Sequence, residues 1–396
     1  MLARIDTSLL HSSWQYYINP ILYLFFLWNL VVNQAPCFQI WIMMVFYPFL
    51  DCLLLLPLDD RNPTKEEAKQ LDSNLKFKLP LYVFIGVDWL YVLYVQKWFY
   101  ETHASLSYLE TVWTVWAVAL MMAGNINTAH ELLHKNNLLD KFLGLTTLSK
   151  NMYLHFYIEH VYGHHRRVAT KEDPASSRRN ETLYQFLPRS VIGSWISAWQ
   201  HEEKRVGSKE FSLSNRMHLF TICYFIFPLI AKIFFGWIGL MFFLVTSILS
   251  AIHLEIINYV EHYGLERKEI SPGVYEKVDI KHSWNAPHRF TNYVLYKLQR
   301  HSDHHENAYK PYQTLCSYEQ SPVLPHGYTV CLILAMNPKD WFEVMNQRVD
   351  DYKSGIKRSE KEVKKINWKI YKVLAKQAVV ITAIWALEMV GFMKLI

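Results

Sequence analysis

The chain has 396 residues, 51% of them hydrophobic, with 14 Trp, 25 Tyr, 22 Phe and a formal net charge of +6. A soluble chain of this length would divide into two or three domains, but several apolar runs reach or approach the ~18–20 residues that cross a bilayer. The charge does not suit a nucleic-acid-binding module, because no basic stripe is interleaved with exposed aromatics; the basic residues gather in particular loops, as an anionic membrane surface or an acidic partner would require.

In chain order, residues 20–34 (PILYLFFLWNLVVNQ) and 38–58 (FQIWIMMVFYPFLDCLLLLPL) flank the turn Ala35-Pro36-Cys37 and read as a transmembrane hairpin with a short first leg. A charged loop, DDRNPTKEEAKQ, leads to a third span over about 79–98, and a fourth over about 106–128 runs straight into HELLHK. After a long polar segment come spans over about 219–235 and 237–260, with Gly236 near their turn. The tail holds a basic stretch over 353–372 and an apolar run over 378–396. It reads either as a membrane-surface helix with a candidate seventh span or as a solvated linker and a packed helix.

The expected fold is therefore all-α: a polytopic membrane protein with a six-helix transmembrane bundle and a cytoplasmic helical cap holding a di-metal site. Residues 1–128 carry spans one to four, 129–218 form a cytoplasmic segment, 219–260 carry spans five and six, 261–350 form a second cytoplasmic segment, and 351–396 are the tail. Six spans put all the long loops on one side. The 129–218 segment holds 13 Lys and Arg, whereas the opposite turns offer little beyond Lys97, so the long loops are expected to face the cytoplasm. The five cysteines are scattered without a CxxC, which predicts neither a disulfide framework nor a thiolate metal site. The N-terminus lacks the pattern of a removable signal peptide.

Nine histidines fall in four stretches at or beyond the ends of apolar runs. They are His130 and His134 in HELLH, His160, His164 and His165 in EHVYGHH, His262 in NYVEHYGL, and His301, His304 and His305 in LQRHSDHH. Imidazole nitrogen suits iron, zinc and copper, and a helix offers ligands from one face at spacings of three or four. A lone buried histidine is usually a satisfied core residue; four such stretches on one membrane face point to metal. Nine donors exceed the roughly four to six of a single ion, so two metals are expected. Iron–sulfur ligation is excluded by the missing thiolates, and the repeated clusters do not resemble one axial haem ligand.

HELLH alone would fit a zinc peptidase with Glu131 as general base, but that leaves HVYGHH and HSDHH without a role. A non-enzymatic metal carrier would place its ligands nearer the bilayer midplane on broken helices. Glu131, Glu159, Asn258, Glu261 and Asp303 adjoin the ligand positions or share their helix face. They are expected to orient the imidazoles through the other ring nitrogen, the alternatives being direct ligation and, more blandly, helix-end capping. His155, His201, His253, His282 and His288 have no clustered spacing and are left outside the ligand set.

At these residues the sequence resembles the integral-membrane alkane 1-monooxygenases (alkane omega-hydroxylases), within the histidine-rich fatty acid desaturase and hydroxylase superfamily. The matching stretches are HELLHK, EHVYGHHRRVATKEDPASS, NYVEHYGL, HSWNAPH and LQRHSDHH in that order, followed by YQTL and LPHGY. They cover about 120–345, whereas the earlier spans agree only in hydropathy and the tail falls outside. The resemblance implies a six-span bundle with a non-haem di-iron site, two Fe ions held by the nine histidines. It also implies O2 as co-substrate, electrons from a rubredoxin- or ferredoxin-type carrier on the cytoplasmic face, and hydroxylation of an alkane's terminal methyl. A fatty acyl, aryl-methyl or other lipid substrate, hydroxylated or desaturated, is the alternative. The implied location is a bacterial inner membrane, or the endoplasmic reticulum of a eukaryote.

The chemistry agrees with such a centre. A terminal C–H bond has no acidic proton and no polar handle, so a redox metal must supply the oxidant while the protein supplies ligands, orientation and water exclusion. The hydrophobic substrate is expected to enter from the lipid between helices. Arg166, Arg167, Arg178 and Arg179 are candidates for docking the acidic carrier, or for contacting headgroups and setting topology.

Overall fold

The structure, a computed structural model, describes residues 12–53, 61–286 and 288–391. Apart from a two-stranded hairpin, Glu269–Ser271 with Val274–Tyr275, its regular elements are helices. Leu75–Ser105, Tyr108–Leu133, Arg216–His262 and Lys361–Met389 are long and apolar enough to cross a membrane. The hairpin expected at the N-terminal end is present as Ile18–Asn33 and a second helix from Cys37 to Leu53, and the last part of the expected second span, 54–58, lies outside the described residues. Its first leg, 16 residues, is about 24 Å long, short of a ~30 Å hydrocarbon core.

Arg216–His262 joins the fifth and sixth expected spans. Unbroken, its 47 residues would extend about 70 Å, more than twice the hydrocarbon thickness. The break falls at Gly236, whose φ of 63° and ψ of −161° belong to a region open essentially to glycine. The single residue without a Cβ thus lets one apolar sequence become two legs.

Several polar groups inside the apolar helices are partnered across the bundle, as a medium without water favours. Tyr91 donates to Gln39 at 2.6 Å, Tyr23 donates to the Met121 carbonyl and Asn19 to that of Val294. Asp88, in the middle of Lys78–Thr102, pairs at 2.8 Å with Lys150 at the end of the helix Leu138–Lys150, and both are shut off from solvent. The Lys150 carbonyl in turn accepts from Ser247 of Arg216–His262 at 2.8 Å. Three helices are therefore tied at one buried point.

The basic stretch from residue 360 and the apolar run as far as residue 389 form one continuous helix, Glu360–Met389, and the end of that run, 392–396, lies outside the described residues. It lies along the helix that starts at Cys37. Glu388, the charge that makes this run a marginal span, accepts the free Cys37 N–H at 3.0 Å, and Thr382 accepts from the Trp41 indole at 3.0 Å. A carboxylate at a helix N-terminus satisfies an orphan donor and meets the positive end of the dipole. Toward the other end Ile370 enters a core with Tyr259, Tyr263, Trp284 and Trp341.

Candidate metal centre

Four elements deliver the nine histidines. Tyr108–Leu133 begins with a capping box in which Ser107 accepts from Glu110 N–H, and it continues through His130 to its end at His134. Arg216–His262 ends on His262, and the short helix His301–Glu306 carries three more. The remaining three lie on or just after a π-helical turn, Glu159–His164.

All nine come together, in two adjoining groups. His130, His134, His160, His165 and His304 offer ring nitrogens within 4.8 Å of one another; His164, His262 and His305 do the same, as do Glu261, His262 and His301. The stacked rings of His165 and His305, 4.4 Å apart, join the groups. Seven of the nine are buried, and His134 and His165 are partly exposed.

The π turn corrects the spacing argument. A regular helix would pair His160 with His164, but π turns close i→i+5 bonds, and His160 Nε2 instead faces His165 Nε2 at 3.0 Å. His164 is thereby turned to the second group. Gly163 belongs to the same device: a Cβ there would lie 2.5 Å from the Glu159 carboxylate and 2.7 Å from the Arg167 guanidinium.

The donor set fits metal. Nε2 of His165 lies 3.1 Å from that of His304, and Nε2 of His301 lies 3.0 Å from that of His305 and 3.3 Å from that of His262. Nitrogens about 2.1 Å from a shared ion would stand about 3.0–3.4 Å apart at right or tetrahedral angles. His130, His134 and His164 each keep a buried Nε2 with no hydrogen-bond partner among the described residues, an arrangement that costs about 1–3 kcal/mol per group unless something binds it. Burial pushes His160, His165, His301, His304 and His305 well below the ordinary imidazole range, and neighbouring imidazoles push the same way. These rings are held neutral, the state in which imidazole ligates.

Of the five expected orienting residues, Glu261 reaches an imidazole, but at the nitrogen that faces the centre: its Oε2 lies 3.2 Å from His301 Nε2, the place of a ligand rather than of an orienting group. Glu131 instead pairs with Lys135 at 2.8 Å and accepts from Tyr312 N–H, and Glu159 pairs with Arg167 at 2.8 Å. Asn258 donates to Glu255 at 3.1 Å, and Asp303 accepts from Lys310 at 2.9 Å and from Cys316 N–H at 2.7 Å. These four brace the elements rather than the rings. The His282 ring pairs with Glu276 and Asp279 and joins neither group, while the His282 backbone bonds to the His262 ring.

Sequence reading missed Asp173. Its buried carboxylate lies 2.8 Å from His164 Nδ1 and accepts from Ser176 at 2.6 Å. Burial alone would lower the His164 pKa, but Asp173 holds it above the usual value. The contact fixes the tautomer that leaves Nε2 facing the centre. Asp173→Asn is expected to lower metal affinity about 10–100-fold, read as metal retained after dialysis against a chelator. Retention equal to the parent would remove Asp173 from this role.

An apolar cavity is lined by the two long helices that end on His134 and His262, Tyr108–Leu133 and Arg216–His262. Its lining includes Asn127 and Leu298, each three residues before a clustered histidine, and Ile257, one turn before Glu261. Asn127 donates to the Leu295 carbonyl at 2.7 Å, joining two ligand-bearing segments at the cavity wall.

Residues 111–326 match the fatty acid desaturase family. Alkane 1-monooxygenase 2 of Alcanivorax borkumensis is 38% identical over 80% of this chain and 84% of its own length, and alkane 1-monooxygenase of Acinetobacter baylyi is 38% identical over 80% and 77%. More distant is the xylene/toluene monooxygenase hydroxylase component XylM of Pseudomonas putida, 23% identical over 78% and 82%. With the histidine centre and these relatives taken together, the chain belongs to the alkane 1-monooxygenase family, on the fatty acid desaturase domain.

Proposed function

We propose that the protein is a membrane-bound di-iron monooxygenase that converts an alkane's terminal methyl to a primary alcohol. The balance is RH + O2 + two electrons + two protons giving ROH + H2O. The observation that carries this reading is the convergence of nine imidazoles into adjoining groups, on helices that also line an apolar cavity. Iron fits the all-nitrogen set with one carboxylate, and when bound it supplies the redox chemistry that an unactivated C–H bond requires. The five-histidine group holds one ion. His164, His262, His301 and His305, with Glu261 beside them, hold the other. Asp173 orients His164, Asn127 fixes the distance between two ligand-bearing segments, and the apolar lining keeps water from the reacting carbon.

The centre faces the cytoplasm on this reading, supported by the basic 129–218 loop. Electrons come from a small acidic carrier of rubredoxin or ferredoxin type. The docking arginines named from sequence need revision, because Arg167 turns inward to Glu159 and Ser197 and Arg179 pairs with Asp350. A basic depression lined by Tyr162, Arg166, His201, Lys204 and Arg205 is the better seat. Arg166 directly follows His165, one of the two partly exposed ligand candidates. Arg166→Glu with Lys204→Glu is expected to lower kcat/KM for the carrier about tenfold or more at low salt, with the gap closing as salt is raised. A flat salt profile in the parent would sink this docking surface.

Product analysis with reduced carrier, O2 and a panel of alkanes, fatty acids and alkylbenzenes tests the substrate. Primary alcohols from alkanes are expected. Alkylbenzene oxidation alone would move the substrate toward that of the xylene/toluene relative, and zinc without iron in the purified protein would overturn the di-iron reading.

A further inference from the structure

The helix Glu360–Met389 lies outside both the desaturase match and the histidine motifs, yet it reaches the wall of the apolar cavity. The second helix contains a π-helical segment, Ile42–Phe46, closed by Tyr47 N–H bonding back to Ile42. In α-helical register the donor to the Met44 carbonyl would be the N–H of residue 48, and residue 48 is proline, which has none. Gln377 fills the gap: its amide donates to the Met44 carbonyl at 3.1 Å. One turn further along, Ile381 is buried in a cluster with Ile40, Met44, Ala117 and Leu120. Met43, Met44, Tyr47 and Leu120 line the cavity. The tail helix therefore holds both the backbone and the back of the wall at this place.

We propose that Gln377 and Ile381 are positioning residues that set the length and width of substrate the cavity accepts, by fixing the irregular turn at Met43 and Met44. This rests on the cavity being the substrate site. The turn is closed by the Tyr47 N–H bond to Ile42 and braced by the Gln377 donor; without that donor the Met44 carbonyl has no partner in place of residue 48, and the methionines are free to withdraw. Ile381 bars that retreat by filling the space behind Met44 and Leu120. Methionine suits such a wall, because its unbranched side chain adapts to whatever gap the backbone leaves. Removing either support should make room for longer or bulkier chains without touching a metal ligand.

The test uses the full-length membrane protein with Gln377→Met, which keeps length and removes the donor, and Ile381→Ala, which removes volume. Val379→Ala, on the exposed side of the same helix, is the control. Each is assayed by kcat/KM with n-alkanes from about eight to about sixteen carbons, where the long-to-short ratio is expected to rise about tenfold in the first two variants and stay unchanged in the control. Bound metal should equal the parent's in all three. An unchanged ratio, or an equal fall at every chain length, would overturn the proposal, since a merely structural role lowers all substrates alike. Should Ile381→Ala fail to fold, Gln377→Met, which conserves volume, still decides it. If the parent hydroxylates only another lipid class, the alkane reading fails, and the same ratio is then measured on a size series of that class.

Discussion

Alanine at His134 and alanine at His305 should each abolish hydroxylation while emptying different metal positions. His134 stands only in the five-histidine group and His305 only in the second. Loss of a residue that merely orients a ligand costs about 10–100-fold in affinity or activity, so loss of the ligand itself should exceed that. Each variant is expected to retain about one metal per chain where the parent retains about two, with the surviving ion in a different environment in each. Metal analysis with Mössbauer spectroscopy on iron-57-enriched protein would read both. Identical residual spectra, or complete metal loss in both, would mean that the two groups form one indivisible site. Full activity in either variant would remove that histidine from the centre.

A second large effect is expected far from the histidines. Asp88 and Lys150 are both fully buried and pair at 2.8 Å. Removing one member of such a pair strands a charge in a low-dielectric interior and costs about 3–5 kcal/mol, whereas replacing both by apolar groups of similar volume is often neutral or stabilising. Asp88→Ala should therefore lower the unfolding midpoint in detergent sharply, and Asp88→Leu combined with Lys150→Met should recover most of the loss. The damage in the single variant should spread, because the Lys150 carbonyl holds Ser247 and the neighbouring Asn151 side chain accepts from Ser250 at 2.8 Å. A single variant as stable as the parent would show that water or a lipid headgroup reaches the site.

The same contrast between local and long-range information separates what could be read in the sequence from what could not. The nine histidines were legible because the residue type is uncommon and, repeated in four clusters at helical spacing, suits metal ligation far better than core packing. The break at Gly236 was legible because the apolar run is too long for one crossing. The partition of the histidines was not, since the helical rule of three and four assumes an α-helix, and a π turn at Glu159–His164 regroups them. Adjacency also misled: Glu131 and Glu159 stand next to histidines in sequence, but neighbouring residues on a helix do not face each other. Glu261 escapes that rule because it reaches across to His301 rather than to its neighbour. Asp173 was hidden by eight intervening residues and a left-handed turn at Ala169, φ 59°. The packing of the tail against the second helix spans more than 300 positions of chain, and nothing local announces it.

The ligand candidates are spread from residue 130 to residue 305, and this has a consequence during synthesis. At about 5–20 residues per second, the ribosome needs roughly 10–30 s to travel from the first histidine pair to the last. For most of that interval His130 and His134, joined after about thirty residues by His160, His164 and His165, lack His262, His301, His304 and His305, the partners that make the mature site selective. Copper and zinc bind such incomplete nitrogen sets more tightly than ferrous iron does. Correct loading thus depends on keeping those metals scarce around the nascent chain, and cells making this protein under copper or zinc excess should accumulate folded, mismetallated enzyme even when iron is plentiful.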